Sequence, residues 1–260
     1  MRGGAANPVR LRYTKLGKVR WISHRDVARA LERAFRVVQL PLAFSEGFSP
    51  RPKVSFGLAL STGHESDAEY VDLVLAEDID LDALPARLSA ALPDGIDVVG
   101  AVALAERVPA LQEAVTCVEW RVDVAHTDLT EVDPVRLRAE IDAALALPAL
   151  AATRRRKGRD VIEDVRPVIR RITVCDGLPT SEFPTGEFPT GELPNRGFPV
   201  VEMEMSTQPR GAKPGDVLAA IGDFTDVRAR RTYQWIERDG ARQEPLDADT
   251  RPRVPEACVS

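Results

Sequence analysis

The sequence predicts an α+β fold made of two tandem β-α-β-β-α-β units, and three observations carry that prediction. Residues 9–13 and 118–124 alternate apolar and charged side chains with the two-residue period of a half-buried strand. Each stretch is followed by an amphipathic helical stripe with its own start signal. The 260 residues exceed the roughly 100–200 expected of one domain, so two domains or one large one fit the length.

In the first half, Val9, Leu11 and Tyr13 alternate with Arg10 and Arg12, and Gly17 interrupts the strand. Residues 19–22 read as extended. Ser23 then stands three residues before Asp26, a spacing that satisfies free amides at a helix start. Val27, Ala30, Leu31, Ala34, Phe35 and Val38 follow on one helical face, and Pro41 marks the end. Segments 42–45, 53–60 and 68–76 read as strands. A second helix opens near Asp80 or Asp82, with Pro85 in its first turn, where the missing N–H costs nothing. Residues 96–104 close the unit as a strand, which gives the ferredoxin-like element order with one extra extended piece.

The second half repeats that order without residue-level identity. After the strand at 118–124, Asp133-Pro134 opens a helix that stops before Pro148. Residues 168–174 and 200–205 read as paired strands, 213–221 as a short helix and 227–236 as a last strand. The predicted units are 9–108 and 114–238. A five-residue Phe-Pro-Thr-Gly-Glu repeat lies within a predicted disordered insertion, 176–197, because proline and glycine at that density defeat both helix and ladder. Residues 239–260 are polar and proline-bearing and read as a flexible tail.

Composition excludes several classes. No apolar run reaches about 18 residues, and the first eight residues do not resemble a signal peptide, so a cytoplasmic protein is expected. Cys117, Cys175 and Cys258 are too widely spaced for a zinc motif or a disulfide framework. His64, Glu65, Asp67, Glu69 and Asp72 cluster, but no two of them have i, i+4 spacing on an evident helix, so no metal is expected there either. No cofactor is called for by any motif.

Charge is more informative. Residues 1–60 hold twelve Lys/Arg against three Asp/Glu, although the whole chain carries a net charge of −5. Arg25, Arg29, Arg33 and Arg36 fall on the helix face away from the apolar stripe, and arginine offers paired donors to phosphate oxygens. A solvated helix face is the plain alternative. Phe48 with Arg51 and Lys53, in a segment containing Gly47, Pro50 and Pro52, suits stacking on an unpaired base beside a held backbone. Arg12, Lys15 and Arg20 add to this basic set. Arg154, Arg155, Arg156 and Lys157, with Arg166 beyond, read as an extended arm that follows a phosphate backbone. His24, beside the basic face, is the candidate general base, set against the ordinary reading of a polar residue in a first helical turn.

Four motifs together resemble one family. They are Arg12-Tyr13-x-Lys15-x-Gly17; Arg20-Trp21-Ile22-Ser23-His24-x-Asp26; Ser45-x-Gly47-Phe48-x-Pro50-x-Pro52-Lys53-x-Ser55-Phe56; and Gly63-x-x-Ser66-x-x-Glu69-x-x-Asp72. The chain is similar to the radical-SAM-linked proteins, a domain of unknown function found alone or fused behind radical-SAM proteins that carry a cobalamin-binding segment. The similarity extends over most of 9–235 and is most specific in the first 75 residues. It implies a radical-SAM partner acting on RNA or a ribosome-related substrate. The CxxxCxxC run that would hold the cluster is missing here, so the chain does not start that chemistry itself.

The expectation is therefore an accessory protein that binds RNA or presents a substrate to a radical-SAM partner. Two other classes stand beside it. One is a metal-independent RNA-processing enzyme using His24, a serine and Lys53. The other is a non-catalytic scaffold whose basic face meets an acidic protein.

Overall fold

A computed structural model describes residues 7–105, 108–156, 158–175 and 198–251. The chain forms β1 (Asn7–Lys15), a 3-10 turn (Gly17–Trp21), α1 (His24–Val37), β2 (Val54–Phe56), β3 (Glu65–Leu75), α2 (Leu84–Ser89) and β4 (Val98–Ala103). It continues with α3 (Leu111–Ala114), β5 (Val115–His126), α4 (Pro134–Leu145), β6 (Ala151–Arg156), β7 (Arg159–Asp164), a 3-10 turn (Arg166–Val168) and β8 (Ile169–Val174). The last elements are β9 (Val200–Ser206), α5 (Pro214–Ile221), β10 (Phe224–Arg238) and β11 (Ala241–Gln243).

The architecture is mixed α/β, with one large, mostly antiparallel sheet and few helices. Nine strands run β4-β1-β3-β10-β5-β9-β8, with β2 beside β3 and β11 beside β10, while β6 and β7 form a separate hairpin. The sheet is continuous, so the halves expected as tandem units share it. They meet at β3 and β10, a parallel pair with only two ladder positions, Arg230↔Glu65 and Arg231↔Ser66. Within each half the strands keep the same spatial order: β4-β1-β3-β2 in the first and β10-β5-β9-β8 in the second.

Two cores follow from the two-residue period of β3. Val71, Leu73 and Leu75 join Val9, Leu11 and Tyr13 of β1 beneath Val27, Leu31 and Phe35 of α1. Ala68 and Tyr70, on the other face of the strand, join Val118, Trp120 and Val122 of β5 beneath Leu137 and Ile141 of α4. The cores thus lie on opposite faces of the sheet where β3 passes.

Four local readings are corrected. Residues 19–21 are not extended, although Ile22 is. Gly17 takes φ +67°, the chain coils into the 3-10 turn, and the Lys15 ammonium donates to the carbonyls of Arg20 and Ile22, both at 3.0 Å. The strand at 42–45 reduces to isolated bridges, Leu42↔Leu75 and Phe44↔Pro52, because the chain turns back on itself there and Lys53 N–H donates to Ala43 O. Arg154 to Arg156 do not form a loose arm, since they lie in β6 and pair with β7.

The fourth correction concerns the tail. Residues 241–251 are packed on the sheet instead of flexible. β11 extends β10, Arg10 Nη1 donates to Pro245 O at 3.0 Å, Arg12 pairs with Glu244 at 2.7 Å, and Ala248 is buried. Leu246 sits over Gly100, where an added Cβ would come within 2.6 Å of its Cδ1.

The insertion at 176–197 lies outside the described residues. Its flanks are paired, with Val174 opposite Val201 and Cys175 N–H donating to Val200 O at 2.8 Å. Deleting 182–193 is therefore expected to leave the melting temperature almost unchanged, since loop closure varies by only about 0.6 kcal/mol per doubling of length. A collapse of the melting temperature in the deletion variant would show instead that the segment supports the sheet.

Candidate functional site

Ser23 caps α1: its Oγ accepts from Asp26 N–H at 3.3 Å and donates to the Asp26 carboxylate at 2.6 Å. That bond, with help from Arg29, holds the Asp26 carboxyl below its ordinary range. Val27, Leu31, Ala34 and Phe35 are buried, which fixes the rotation of the helix about its axis. Arg25, Arg29, Arg33 and Arg36 consequently all project into solvent. Arg29 reaches Asp26 at 3.2 Å, an exposed pair worth little. Arg25, Arg33 and Arg36 have no ion pair among the described residues.

A loop that ends in cations stands next to this face. Ser45 N–H donates to Arg51 O at 2.8 Å and closes a tip in which Phe48 is fully exposed. Phe44 is more than half exposed, and Arg51 and Lys53 both reach solvent. The His24 ring packs edge-on against Phe56 of β2 at 5.3 Å, tying the first turn of α1 to the strand that follows the loop. His24 has no carboxylate partner among the described residues.

The remaining predicted site residues are placed differently. Arg12 is engaged by Glu244 and by Asp67 O. Lys15 is buried, and desolvation lowers its pKa. Arg20 is buried 3.9 Å from Glu65, with its guanidinium over the Trp21 ring at 4.9 Å. Arg166 donates to Leu145 O at 3.0 Å and braces the end of α4. Arg154 pairs with Glu163 at 3.0 Å and Asp216 at 2.9 Å, while Arg155 is exposed. The Arg156 side chain and all of Lys157 lie outside the described residues. The surface set thus reduces to the α1 arginines, the Phe48 loop and Arg155.

The acidic run on β3 is a set of ion pairs. Glu65 meets Arg228 at 2.7 Å, Asp67 meets Arg230, Glu69 meets Arg231 at 2.5 Å and Asp72 meets Arg10 at 2.7 Å. His64 joins Asp226 at 3.0 Å. Sequence reasoning missed the β10 partners, although Arg228 and Arg230 repeat the two-residue spacing of Glu65 and Asp67 with opposite charge. Asp123, close to Arg228 and Arg121, has its carboxyl pushed up by burial.

One further donor set comes together. Cys117, Glu204 and Glu237 place ligand atoms within 4.8 Å of one another. Both carboxylates are already neutralised, Glu237 by Arg170 at 2.6 Å and Glu204 by Arg242 at 3.2 Å. Burial pushes the Cys117 thiol up to about 12, so it is protonated at neutral pH. No helix among the described residues is long and apolar enough to cross a membrane.

Residues 9–194 match the model of a family described as uncharacterized protein conserved in bacteria (DUF2344). No curated protein matches the chain. Among solved structures, a chain from the crystal structure of a Cbf5-Nop10-Gar1 complex is similar at a TM-score of 0.44 and 11% identity, over 86% of this chain and 48% of that one. This chain thus spans about half the length of that neighbour.

Proposed function

We propose that this chain, which belongs to the DUF2344 family of uncharacterized bacterial proteins, is a cytoplasmic RNA-binding accessory protein. In this reading two ferredoxin-like units, joined edge to edge at β3 and β10, present RNA to a radical-SAM partner. The observation that carries the reading is the row of arginines on α1, three of them without an ion pair among the described residues, beside a loop that exposes Phe48, Arg51 and Lys53. Arg10 and Arg12 are neutralised by Asp72 and Glu244, so the cations of residues 1–60 that remain without an acid include those on this surface. Like charges three and four residues apart destabilise a bare helix by a few tenths of a kcal/mol per pair, a cost that a phosphate backbone removes.

The residues that carry the similarity to the radical-SAM-linked proteins also build this surface. Lys15 holds the turn before α1, Gly63 N–H donates to Arg20 O at 2.8 Å, and Ser23 caps the helix. Their clustering supports a presenting role better than the enzyme alternative, because His24 packs on Phe56 in place of a carboxylate.

Fluorescence anisotropy with a labelled single-stranded RNA tests the proposal. Binding is expected to weaken linearly with log salt, with a slope of about 0.7 per phosphate contacted. Replacing Arg25, Arg29 and Arg33 with Gln removes up to three contacts and flattens that slope by roughly 2. Helix content should persist, since Gln and Arg have similar helix propensities. Phe48→Ala is expected to lose about 1–3 kcal/mol of binding through stacking, with the salt slope unchanged. Absence of salt-sensitive binding by the parent, or parental binding by the triple variant, refutes the reading and moves the protein scaffold ahead.

A further inference from the structure

A cleft of about 170 Å³ opens between the two halves, away from the α1 surface, and its walls come from four separate segments. Trp120 of β5, His64 and Ser61 ahead of β3, Thr207 after β9, Lys213 before α5 and Arg231 of β10 all line it. The cleft compares with the cavity of about 150 Å³ that holds a benzene ring in an engineered apolar protein core. Its size fits a single six-membered ring.

The chemistry of the walls narrows the occupant. Among the described residues no Asp or Glu lines the cleft, whereas Lys213 and Arg231, the latter backed by Glu69, contribute two cationic groups. Trp120 is only 6% exposed, and its Nε1–H has no acceptor among the described residues. That donor is enclosed by its neighbours, so what Trp120 offers the cleft is an apolar ring wall. Arg231 uses Nε and Nη2 on Glu69 and Leu58 O, leaving Nη1 without a bond to any described residue.

The wall is also rigid. His64 bonds to Asp226 at 3.0 Å and packs edge-on against Trp120 at 5.4 Å. Gly215 permits that arrangement, since a Cβ there would fall 2.5 Å from Asp226 Oδ1. Arg231 lies over the same indole at 5.4 Å. Two sides of a flat slot are thereby fixed before any ligand enters.

We propose that this cleft is a small-molecule site for a planar, single-ring carboxylic acid in its anionic form. The ring packs against Trp120, and the carboxylate accepts from Arg231 Nη1 and Lys213 Nζ. The site is independent of the RNA surface, so either assignment stands or falls alone.

Sodium benzoate is the probe, and the indole N–H resonances of the full-length protein are the readout. The chain has three tryptophans, and Trp120→Phe identifies the relevant signal. Benzoate is expected to shift the Trp120 resonance saturably, whereas benzylamine, of equal size and opposite charge, leaves it unmoved. Lys213→Met, at an exposed position, is expected to weaken benzoate by roughly tenfold or more without disturbing the other two indoles. No saturable shift with benzoate, an equal response to benzylamine, or undiminished affinity in Lys213→Met each overturns the proposal. A shift with inorganic phosphate alone also overturns it, since that marks an anion site with no place for a ring.

Discussion

Replacing Arg231 with Met is expected to lower the melting temperature by on the order of 10 °C. Arg231 and Glu69 are each only 4% exposed at the side chain and meet at 2.5 Å. The guanidinium also donates to Leu58 O at 2.9 Å. Removing it strands the Glu69 carboxylate where water does not reach, beside the buried Tyr13 phenol, whose pKa burial and Glu69 together raise. Breaking such a pair costs about 3–5 kcal/mol, most of it from the charge left behind. The double variant Arg231→Met/Glu69→Met is therefore expected to recover most of the loss. Thermal denaturation of both variants checks this. A single variant that melts within about 2 °C of the parent would show that the pair contributes nothing to joining the halves.

Ending the chain at Gly240 is expected to destabilise it by on the order of 4 kcal/mol, despite the polar composition of what is removed. The truncation takes away the Pro245 carbonyl from Arg10, which is 0% exposed, and Glu244 from Arg12. It also uncovers Gly100 and the strands beneath Leu246 and Ala248, and it frees Arg238 from Asp249, 2.6 Å away. Urea denaturation gives the comparison, and an unshifted midpoint would mean that 241–251 only rest on the sheet. Leu246→Ala, which keeps the backbone and the ion pairs, isolates the apolar part of the effect.

The packing of 241–251 on the sheet has no local signature in the sequence. Its signals are long-range: Arg10 and Arg12 alternate with apolar residues in β1 as a solvent-facing row would, and nothing nearby says that 244–248 cover them. α1 was legible because cap, stripe and stop all lie within 20 residues of sequence. The Asp133 cap and Pro134 start of α4 were legible for the same reason. The exposed arginines of α1 followed directly from its apolar stripe. By contrast, the inward turn of Lys15 and Arg20 depends on Gly17 and on the 3-10 turn, which a strand-like run of Val, Trp and Ile concealed. The cleft at Trp120 had no local signature at all, since its walls are assembled from four distant segments.

The parallel contact of β3 with β10 also bears on how the chain is made. Glu69 and Arg231 are separated by 162 residues, so a ribosome adding about 5–20 residues per second needs roughly 10–30 s to supply the second partner after the first. For that interval the edge of β3 later taken by β10 has no strand beside it at Glu65 and Ser66. Asp67 and Glu69 then lack their arginine partners on a nascent edge where Glu65 has only Arg20 at 3.9 Å, and charge of one sign on an unpaired strand discourages pairing with another chain. The acidic run that ends as interior ion pairs serves first as a guard against aggregation, and the late arrival of the β10 arginines converts it to a fastening.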